Sequence, residues 1–140
     1  MLVSFDFDDT LLLTRPDEDW GLVEAGPNEP MLAALWAHHE AGDTIIIVTS
    51  RHERHELPKP QTFMRLKDIP PPRTPVCVFV AKHKLPVKEI HFTNGEDKVV
   101  TLERLGVNKH FDDDEDELAL LPGDIEGVLA PIHPEWAQVL

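Results

Sequence analysis

The chain has 140 residues, 41% of them hydrophobic and 28% charged, which is typical of one soluble globular domain and not of a disordered or fibrous chain. Because 13 Lys and Arg stand against 26 Asp and Glu, the formal net charge is -13 at pH 7, and a nucleic acid would meet a repulsive field. Cys77 is the single cysteine, and neither a signal peptide nor an apolar run of about 18–20 residues is present, so we expect a cytoplasmic protein without a disulfide or membrane segment.

The first predicted element is a strand at residues 2–7, which are apolar and rich in strand formers. Residues 14–28 hold two prolines and two glycines among several acids, so they predict a loop. A helix then follows Asn28, which can cap it, with Pro30 in its first turn and Gly42 after its end. The buried face of that helix is predicted from spacings of three and four residues: Met31, Leu32, Leu35 and Trp36.

The run "TIIIVT", residues 44–49, is typical of a parallel strand buried on both faces. Residues 51–73 are rich in proline and charge and predict an irregular excursion over the surface. Thr74 and Pro75 form a cap and first-turn pair, so "VCVFV" is predicted to be helical although its residues favour strands. The remaining predicted elements are a strand at 87–93, a helix at 98–105, a strand at 107–111, a short helix at 117–121 and a strand at 127–132.

The alternation of strands and helices predicts the fold class. It indicates an α/β, Rossmann-like three-layer sandwich, with a mainly parallel five-stranded sheet and a single domain over residues 1–140. Ligands of such sheets bind beyond the carboxyl ends of the strands, so the residues directly after each strand are the candidates for a site. These candidates are Asp6, Asp8, Asp9 and Thr10, then Thr49, Ser50 and Arg51, then residues 94–98, and finally Asp112, Asp113 and Asp114.

Carboxylates are the main side chains at this predicted rim. They cannot all be ionised within a few ångströms of one another without a compensating cation. Mg²⁺ is the simplest such cation, because it binds oxygen ligands and leaves coordination positions for water and phosphate oxygens. A site of this kind can run phosphoryl transfer, in which one aspartate attacks phosphorus and a second carboxylate protonates the leaving oxygen.

Four segments at these strand ends resemble the motifs of the haloacid dehalogenase superfamily. The segment "DFDDT" is similar to its first motif, D-x-D-x-T, and "IIIVTS" supplies a hydrophobic strand with the second-motif threonine. The segment "NGEDK" offers a lysine, and "HFDDDED" is similar to the acidic fourth motif. The resemblance extends over residues 2–120 and implies the phosphatase branch, because Asp8 marks that branch.

The resemblance also implies roles for individual residues. Asp6 would be the nucleophile, Asp8 the general acid and base, Thr49 a donor to the phosphoryl group and Lys98 the cation between nucleophile and phosphate. The implied Mg²⁺ ligands are Asp6, Asp8 through its backbone carbonyl, and Asp113 with Asp112 alongside; Asp113 is favoured as the direct ligand and Asp116 is an outer candidate. Candidates for contacting the substrate are Thr10, Ser50 and Arg51.

The expected function is a Mg²⁺-dependent phosphomonoester hydrolase that forms a phospho-aspartate on Asp6. The intervals between the motifs leave no room for the large cap domain that members of this superfamily often carry, although residues 14–28 and 51–73 are candidates for a small lid. A nucleotide or another small phosphomonoester is the expected substrate, and a polynucleotide 3′-phosphate end is disfavoured by the net charge. Two other classes stay open, a receiver-like signalling domain and a binding protein that has lost the chemistry.

Overall fold

The computed structural model describes residues 1–16, 22–52 and 75–131. Their elements, in chain order, are β1 Leu2–Phe5, β2 Leu12–Pro16, β3 Leu22–Pro27, α1 Glu29–Glu40, β4 Thr44–Thr49, α2 Pro75–Lys82, β5 Val87–Phe92, α3 Lys98–Leu105, β6 Lys109–Asp112, α4 Glu115–Ala119 and β7 Glu126–Leu129. The predicted excursion over residues 51–73 lies outside the described residues from position 53 onward. Within the described ranges, no helix has the length and apolar character that crossing a membrane requires.

Five strands form one parallel sheet in the spatial order β5-β4-β1-β6-β7. Numbered by their appearance in the chain, these strands run 3-2-1-4-5, which is the Rossmann order. The predicted α/β class and the parallel five-stranded sheet are therefore confirmed. Receiver-like domains have the flavodoxin-like order 2-1-3-4-5, so the receiver-like alternative is wrong.

Two apolar clusters cover the two faces of this sheet, and β4 contributes to both by alternation. Ile45 and Ile47 belong to the cluster that includes Leu35 of α1 and Phe79 of α2. The intervening Ile46 and Val48 belong to the second cluster, with Leu102 of α3. Because successive strand side chains point to opposite faces, an unbroken apolar run is what a strand buried on both faces requires. The three-layer arrangement that we predicted is thus present.

The prediction of a loop at residues 14–28 is wrong, because much of that range belongs to the antiparallel hairpin β2–β3. The prolines and glycine that indicated a loop lie where a hairpin tolerates them. Pro16 and Pro27 are at the ends of the paired segment, where a missing N–H costs little. Gly26, with a φ of 118°, lies next to a register shift that leaves one extra residue in β3, as a β-bulge does.

Helix α1 begins and ends close to the predicted positions, but two of its details differ. Asn28 is the N-cap residue by position, yet its side chain makes no capping hydrogen bond. Trp36 was placed on the buried face and is 38% exposed, whereas Met31, Leu32 and Leu35 are buried. Trp36 lies at the edge of the helical arc that these three residues define, and its ring packs edge-on against His39 at 5.8 Å between centroids.

Candidate active site

The site lies at the carboxyl edge of the sheet, where β1 and β6 end side by side. The strands that follow β1 are added first on one side of it, as β4 and β5, and then on its other side, as β6 and β7. Sheets of α/β proteins bind ligands in the crevice beside the strand where the order switches sides. A cavity of about 540 Å³ opens there. Eight of the ten described residues that line it are acidic, and the other two are Ser50 and Lys98. The cavity is therefore strongly negative before any cation binds.

Asp6 follows the last residue of β1 and is held from three sides. Its backbone N–H donates to the carbonyl of Phe111 at 2.9 Å, which extends the pairing of β1 with β6. The Thr10 hydroxyl donates to Asp6 Oδ2 at 3.0 Å, and Lys98 Nζ lies 3.3 Å from Asp6 Oδ1. Thr10 lies near Asp6 because the chain turns tightly here: the carbonyl of Phe7 accepts hydrogen bonds from the backbone N–H groups of residues 10–12. The Asp6 carboxylate is thus buried and fixed in orientation.

Lys98 is the central cation of the site. It starts α3, an unfavourable position for a lysine because the helix dipole is positive there, and its side chain is only 5% exposed. Nζ lies 2.8 Å from Asp112 Oδ2 in addition to its contact with Asp6. Burial alone would lower the pKa of Lys98, but the carboxylates of Asp6 and Asp112 raise it above the usual value of 10.5. The side chain is therefore an ammonium between two buried carboxylates.

The carboxylates around Lys98 have opposite protonation tendencies. Burial opposes ionisation of Asp112, yet hydrogen bonds from His110 and Lys98 lower its pKa to about 2. Burial and then the charge of Asp112 raise the pKa of Asp6 well above 3.8, although Lys98 acts in the other direction. Burial also raises the pKa of Asp113, and Asp112 and Asp9 add to the effect. One lysine therefore does not balance the negative charge at this strand edge.

Three carboxylates meet the requirements of a divalent cation. One oxygen each from Asp6, Asp112 and Asp113 lies within 4.8 Å of the others, and these are the residues that form such a group within the described ranges. The donors are all oxygens, which suits a hard cation such as Mg²⁺ better than a softer metal. A cation here would lower the pKa of Asp6, because it would favour the charged form of the carboxylate.

Asp8 lies at the mouth of the cavity and is paired with Arg51. Arg51 Nε donates to Asp8 Oδ2 at 2.8 Å, and Nη2 donates to Asp8 Oδ1 at 2.7 Å, so the contact is bidentate. The guanidinium also lies over the Phe7 ring, 5.0 Å from its centroid. Asp8 and Arg51 are 40% and 26% exposed, so the pair stands at the solvent boundary. The first and second motifs are therefore linked directly by an ion pair.

The second-motif segment is fixed by hydrogen bonds to the chain that follows β5. The carbonyl of Thr49 accepts the N–H of Thr93, and the carbonyl of Ser50 accepts the N–H of Gly95, both at 2.8 Å. Thr49 is buried, and its hydroxyl accepts the backbone N–H of Arg51 at 3.3 Å. Ser50 is exposed and lines the cavity. The segment is thus a rigid extension of the sheet.

Two residues that the sequence did not single out for the site are Ser4 and His110. Both are fully buried, and Ser4 Oγ lies 2.6 Å from His110 Nδ1, while His110 Nε2 lies 2.9 Å from Asp112 Oδ2. The alternation of side chains between the two faces of a strand could have indicated both residues. A histidine two positions before a strand-end aspartate lies on the same face of the strand, and so does the serine two positions before Asp6.

The acidic run 112–117 divides into two functions. Asp112 and Asp113 belong, with Asp6, to the group of three carboxylates. Asp114 instead caps α4, because its side chain accepts hydrogen bonds from the backbone N–H groups of Asp116 and Glu117. A carboxylate at a helix N-terminus is a favourable arrangement in itself. The predicted short helix is therefore present, although α4 begins at Glu115, two residues before the predicted start at residue 117.

Side chains from three motif segments, and from the residue that follows the second motif, converge on this one edge of the sheet, whereas the buried Thr49 does not line the cavity. Asp6 and Asp8 come from the first, Arg51 from the residues after the second, Lys98 from the third and Asp112 from the fourth. Segments that are far apart in the sequence therefore contribute to one cluster of side chains.

Comparison with known proteins gives matches in structure alone. No protein-family model matches the sequence, and no curated protein matches it significantly. A 3-deoxy-D-manno-octulosonate 8-phosphate phosphatase from Moraxella catarrhalis, solved with magnesium ion, phosphate ion and KDO, is similar with a TM-score of 0.47 and 17% identity over 84% of this chain and 60% of that one. A Vibrio cholerae protein provisionally assigned the same activity has a TM-score of 0.46 and 18% identity over 99% of this chain and 70% of that one. The chain thus spans 60% of the length of the Moraxella enzyme.

Proposed function

We propose that the chain is a Mg²⁺-dependent phosphomonoester hydrolase of the haloacid dehalogenase superfamily, with Asp6 as its nucleophile. The observation that carries the proposal is the environment of Asp6. Its carboxylate is buried and accepts a hydrogen bond from the Thr10 hydroxyl. It also lies 3.3 Å from the ammonium of Lys98 and forms a group with the carboxylates of Asp112 and Asp113. A nucleophilic carboxylate needs a fixed orientation and a positive environment, and this arrangement supplies both.

In the first proposed step, a carboxylate oxygen of Asp6 attacks the phosphorus of the substrate. The bond between phosphorus and the leaving oxygen breaks, and its electron pair stays on that oxygen. Asp8 supplies the proton that this oxygen takes up, so the alcohol leaves as a neutral molecule. Lys98 and Thr49 stabilise the negative charge on the equatorial phosphoryl oxygens. The product of this step is a phospho-aspartate.

In the second proposed step, water attacks the phosphorus of the phospho-aspartate. Asp8 is now a carboxylate and accepts the proton of that water, and the bond between phosphorus and the Asp6 oxygen breaks. Inorganic phosphate leaves, and Asp6 and Asp8 return to their starting states. The bidentate pairing with Arg51 favours the carboxylate form of Asp8, which this step needs, and it holds that carboxylate at the cavity mouth; the pair must open for Asp8 to carry the proton of the first step.

The proposed metal ligands are Asp6, Asp112 and Asp113, together with the backbone carbonyl of Asp8. When bound, Mg²⁺ would offset the repulsion between the nucleophile and the phosphoryl oxygens. Lys98 alone cannot do this, because it already compensates two carboxylates. We propose Asp113 as the direct ligand from the fourth motif, with Asp112 alongside it.

The proposed substrate is a nucleotide or another small phosphomonoester. A cavity of about 540 Å³ that opens to solvent fits a molecule of that size. The acidic lining and the net charge of -13 disfavour a polynucleotide 3′-phosphate end, which remains the alternative substrate. A cytoplasmic location is part of the same proposal.

The test of this proposal is release of phosphate from p-nitrophenyl phosphate, followed by a panel of nucleotides, sugar phosphates and a 3′-phosphorylated oligonucleotide. We expect turnover that requires Mg²⁺, stops with EDTA and is lost in Asp6→Asn. Glu126→Gln is the control, because it removes an exposed carboxylate far from Asp6 and should keep full activity. Turnover that survives Asp6→Asn would refute the role of Asp6, and no turnover on the entire panel would favour the binding-protein alternative.

A further inference from the structure

We infer that His110, anchored by Ser4, is a positioning residue that sets the orientation of the Asp112 carboxylate toward the metal site. The inference rests on the proposed function, since it concerns the same cation. Three donors already bind Asp112. Oδ2 accepts from Lys98 at 2.8 Å and from His110 at 2.9 Å, and Oδ1 accepts the N–H of Asp114 at 3.0 Å. A carboxylate has about four lone-pair positions, so one of them stays available for a cation.

The direction of each hydrogen bond in the series Ser4–His110–Asp112 follows from the Asp112 carboxylate, which is the acceptor at its end. An ionised Asp112 has no proton, so the Nε2–H of His110 must donate to it. In the neutral ring Nδ1 is then an acceptor, and the hydroxyl of Ser4 donates to it. Asp112 therefore fixes the tautomer, and the hydrogen bonds to Asp112 and Ser4 together fix the rotation of the imidazole. A rotated ring could not reach Asp112 and Ser4 together.

This series of hydrogen bonds also connects β1 and β6, the two strands that carry the site. Ser4 and His110 are register partners in the parallel pairing of β1 with β6. Asp6 and Asp112 stand two residues further along the same two strands, on the same face of the sheet. The imidazole thus lies on that face directly before the carboxylates, and its two hydrogen bonds link a side chain of β1 to the Asp112 carboxylate of β6. Outer partners of metal ligands commonly act in this way.

Two other interpretations of a Ser–His–Asp chain can be compared with the geometry. A serine hydrolase needs an accessible hydroxyl, but Ser4 is fully buried and does not line the cavity. A purely structural network would satisfy buried polar groups and affect stability alone. The positioning role differs from the structural one in a measurable way, because it requires that the affinity for metal depends on Ser4 and His110.

The test uses Mn²⁺ alone as the probe, with its binding followed by electron paramagnetic resonance at a temperature where every variant is folded. We expect Ser4→Ala and His110→Phe to weaken Mn²⁺ binding by about 10–100-fold. His110→Gln keeps an amide N–H near the place of Nε2, so it should restore most of the affinity that His110→Phe loses. Ser4→Ala is the milder change and keeps the question answerable if His110→Phe does not fold.

His91→Phe is the matched control. His91 also lies on a strand, β5, and its Nε2 is 2.9 Å from a carboxylate oxygen of the exposed Glu89, but β5 is an edge strand that β4 separates from β1. It should bind Mn²⁺ as the unaltered chain does. Loss of affinity in Ser4→Ala and His110→Phe, with retention in His91→Phe, would support the positioning role.

The outcomes separate this inference from the proposed function. If the unaltered chain binds Mn²⁺ and hydrolyses phosphomonoesters while Ser4→Ala and His110→Phe bind as tightly, the inference is overturned and the proposed function stands. If these variants lose the metal but the unaltered chain hydrolyses nothing, the inference is supported and the proposed function is overturned. If the unaltered chain binds no Mn²⁺, both are overturned.

Discussion

Replacing Lys98 by methionine tests whether one ammonium compensates the buried carboxylates. The side chain is 5% exposed and its Nζ lies 2.8 Å from Asp112 and 3.3 Å from Asp6. Methionine keeps a similar length and apolar stem but removes the charge. The pKa of Lys98 is raised above its ordinary value, so its contribution to stability is fully present at pH 7 and is lost only as the pH rises through the folded value.

The expected loss follows from leaving buried charges without a partner. Removing one member of a buried ion pair costs about 3–5 kcal/mol, because the remaining charge keeps its desolvation penalty. In the variant the pKa of Asp112 should rise from about 2, because Lys98 is among the groups that lower it, while the hydrogen bond from His110 still favours the charged form. A domain of this size has about 5–15 kcal/mol of stability in total, so Lys98→Met should be folded but clearly weakened.

Urea unfolding at pH 7 in EDTA measures this loss, with Lys109→Met as the matched control. Lys109 also pairs with a carboxylate, but its partner Glu126 is 67% exposed and the contact is 3.8 Å long. Exposed pairs contribute about 0–1 kcal/mol, so the control should lose little. If the two variants lose the same free energy of unfolding, Lys98 does not compensate the carboxylates and the electrostatic description of the site is wrong.

Three further predictions follow from the same structure. Asp6→Asn should raise the free energy of unfolding in EDTA at pH 7. The pKa of Asp6 is raised above 3.8 in the folded chain, so the folded state loses stability as the pH rises through this folded pKa, and asparagine removes that loss. Equal free energies of unfolding in urea at pH 7 would contradict this. Gly95→Ala should cost about 1–2 kcal/mol in thermal unfolding, since the glycine has a φ of 83° and a Cβ would lie 3.1 Å from a histidine ring, whereas Gly123→Ala meets nothing within 4 Å and should be neutral. Arg51→Lys keeps the charge but not the bidentate grip on Asp8, so steady-state kinetics should show kcat lowered by up to about 100-fold with little change in stability; an unchanged kcat would exclude a role for that grip.

The strand ends were predictable from the sequence because their chemistry is local. An apolar β-branched run such as 44–49 is typical of a strand with both faces covered, and polar residues directly after such runs mark the binding edge of a parallel sheet. Lys98 was a candidate because it follows the third predicted strand of the sheet, and the structure gives it two carboxylate partners. These features need no knowledge of distant contacts.

The features that the sequence did not reveal depend on contacts between separate segments. Hairpin β2–β3 contains turn-type residues, and only the pairing of two segments explains why they are tolerated. Strand alternation places His110 on the face of Asp112, but its partner Ser4 lies on another strand, 106 residues away, so its role was not visible from the local sequence. Whether Asp112 or Asp113 binds the cation directly stays a prediction, because both belong to the same carboxylate group.

The central place of β1 has a consequence for biosynthesis. During translation β1 emerges first, but β6, one of its two neighbours in the sheet, is made about a hundred residues later. At about 5–20 residues per second, the unpaired edge of β1 waits for several seconds. The nascent chain therefore carries an open, apolar strand edge that invites pairing with other chains, and it cannot complete its carboxylate group until residue 113 has left the ribosome. Chaperone occupancy on stalled chains would measure that interval.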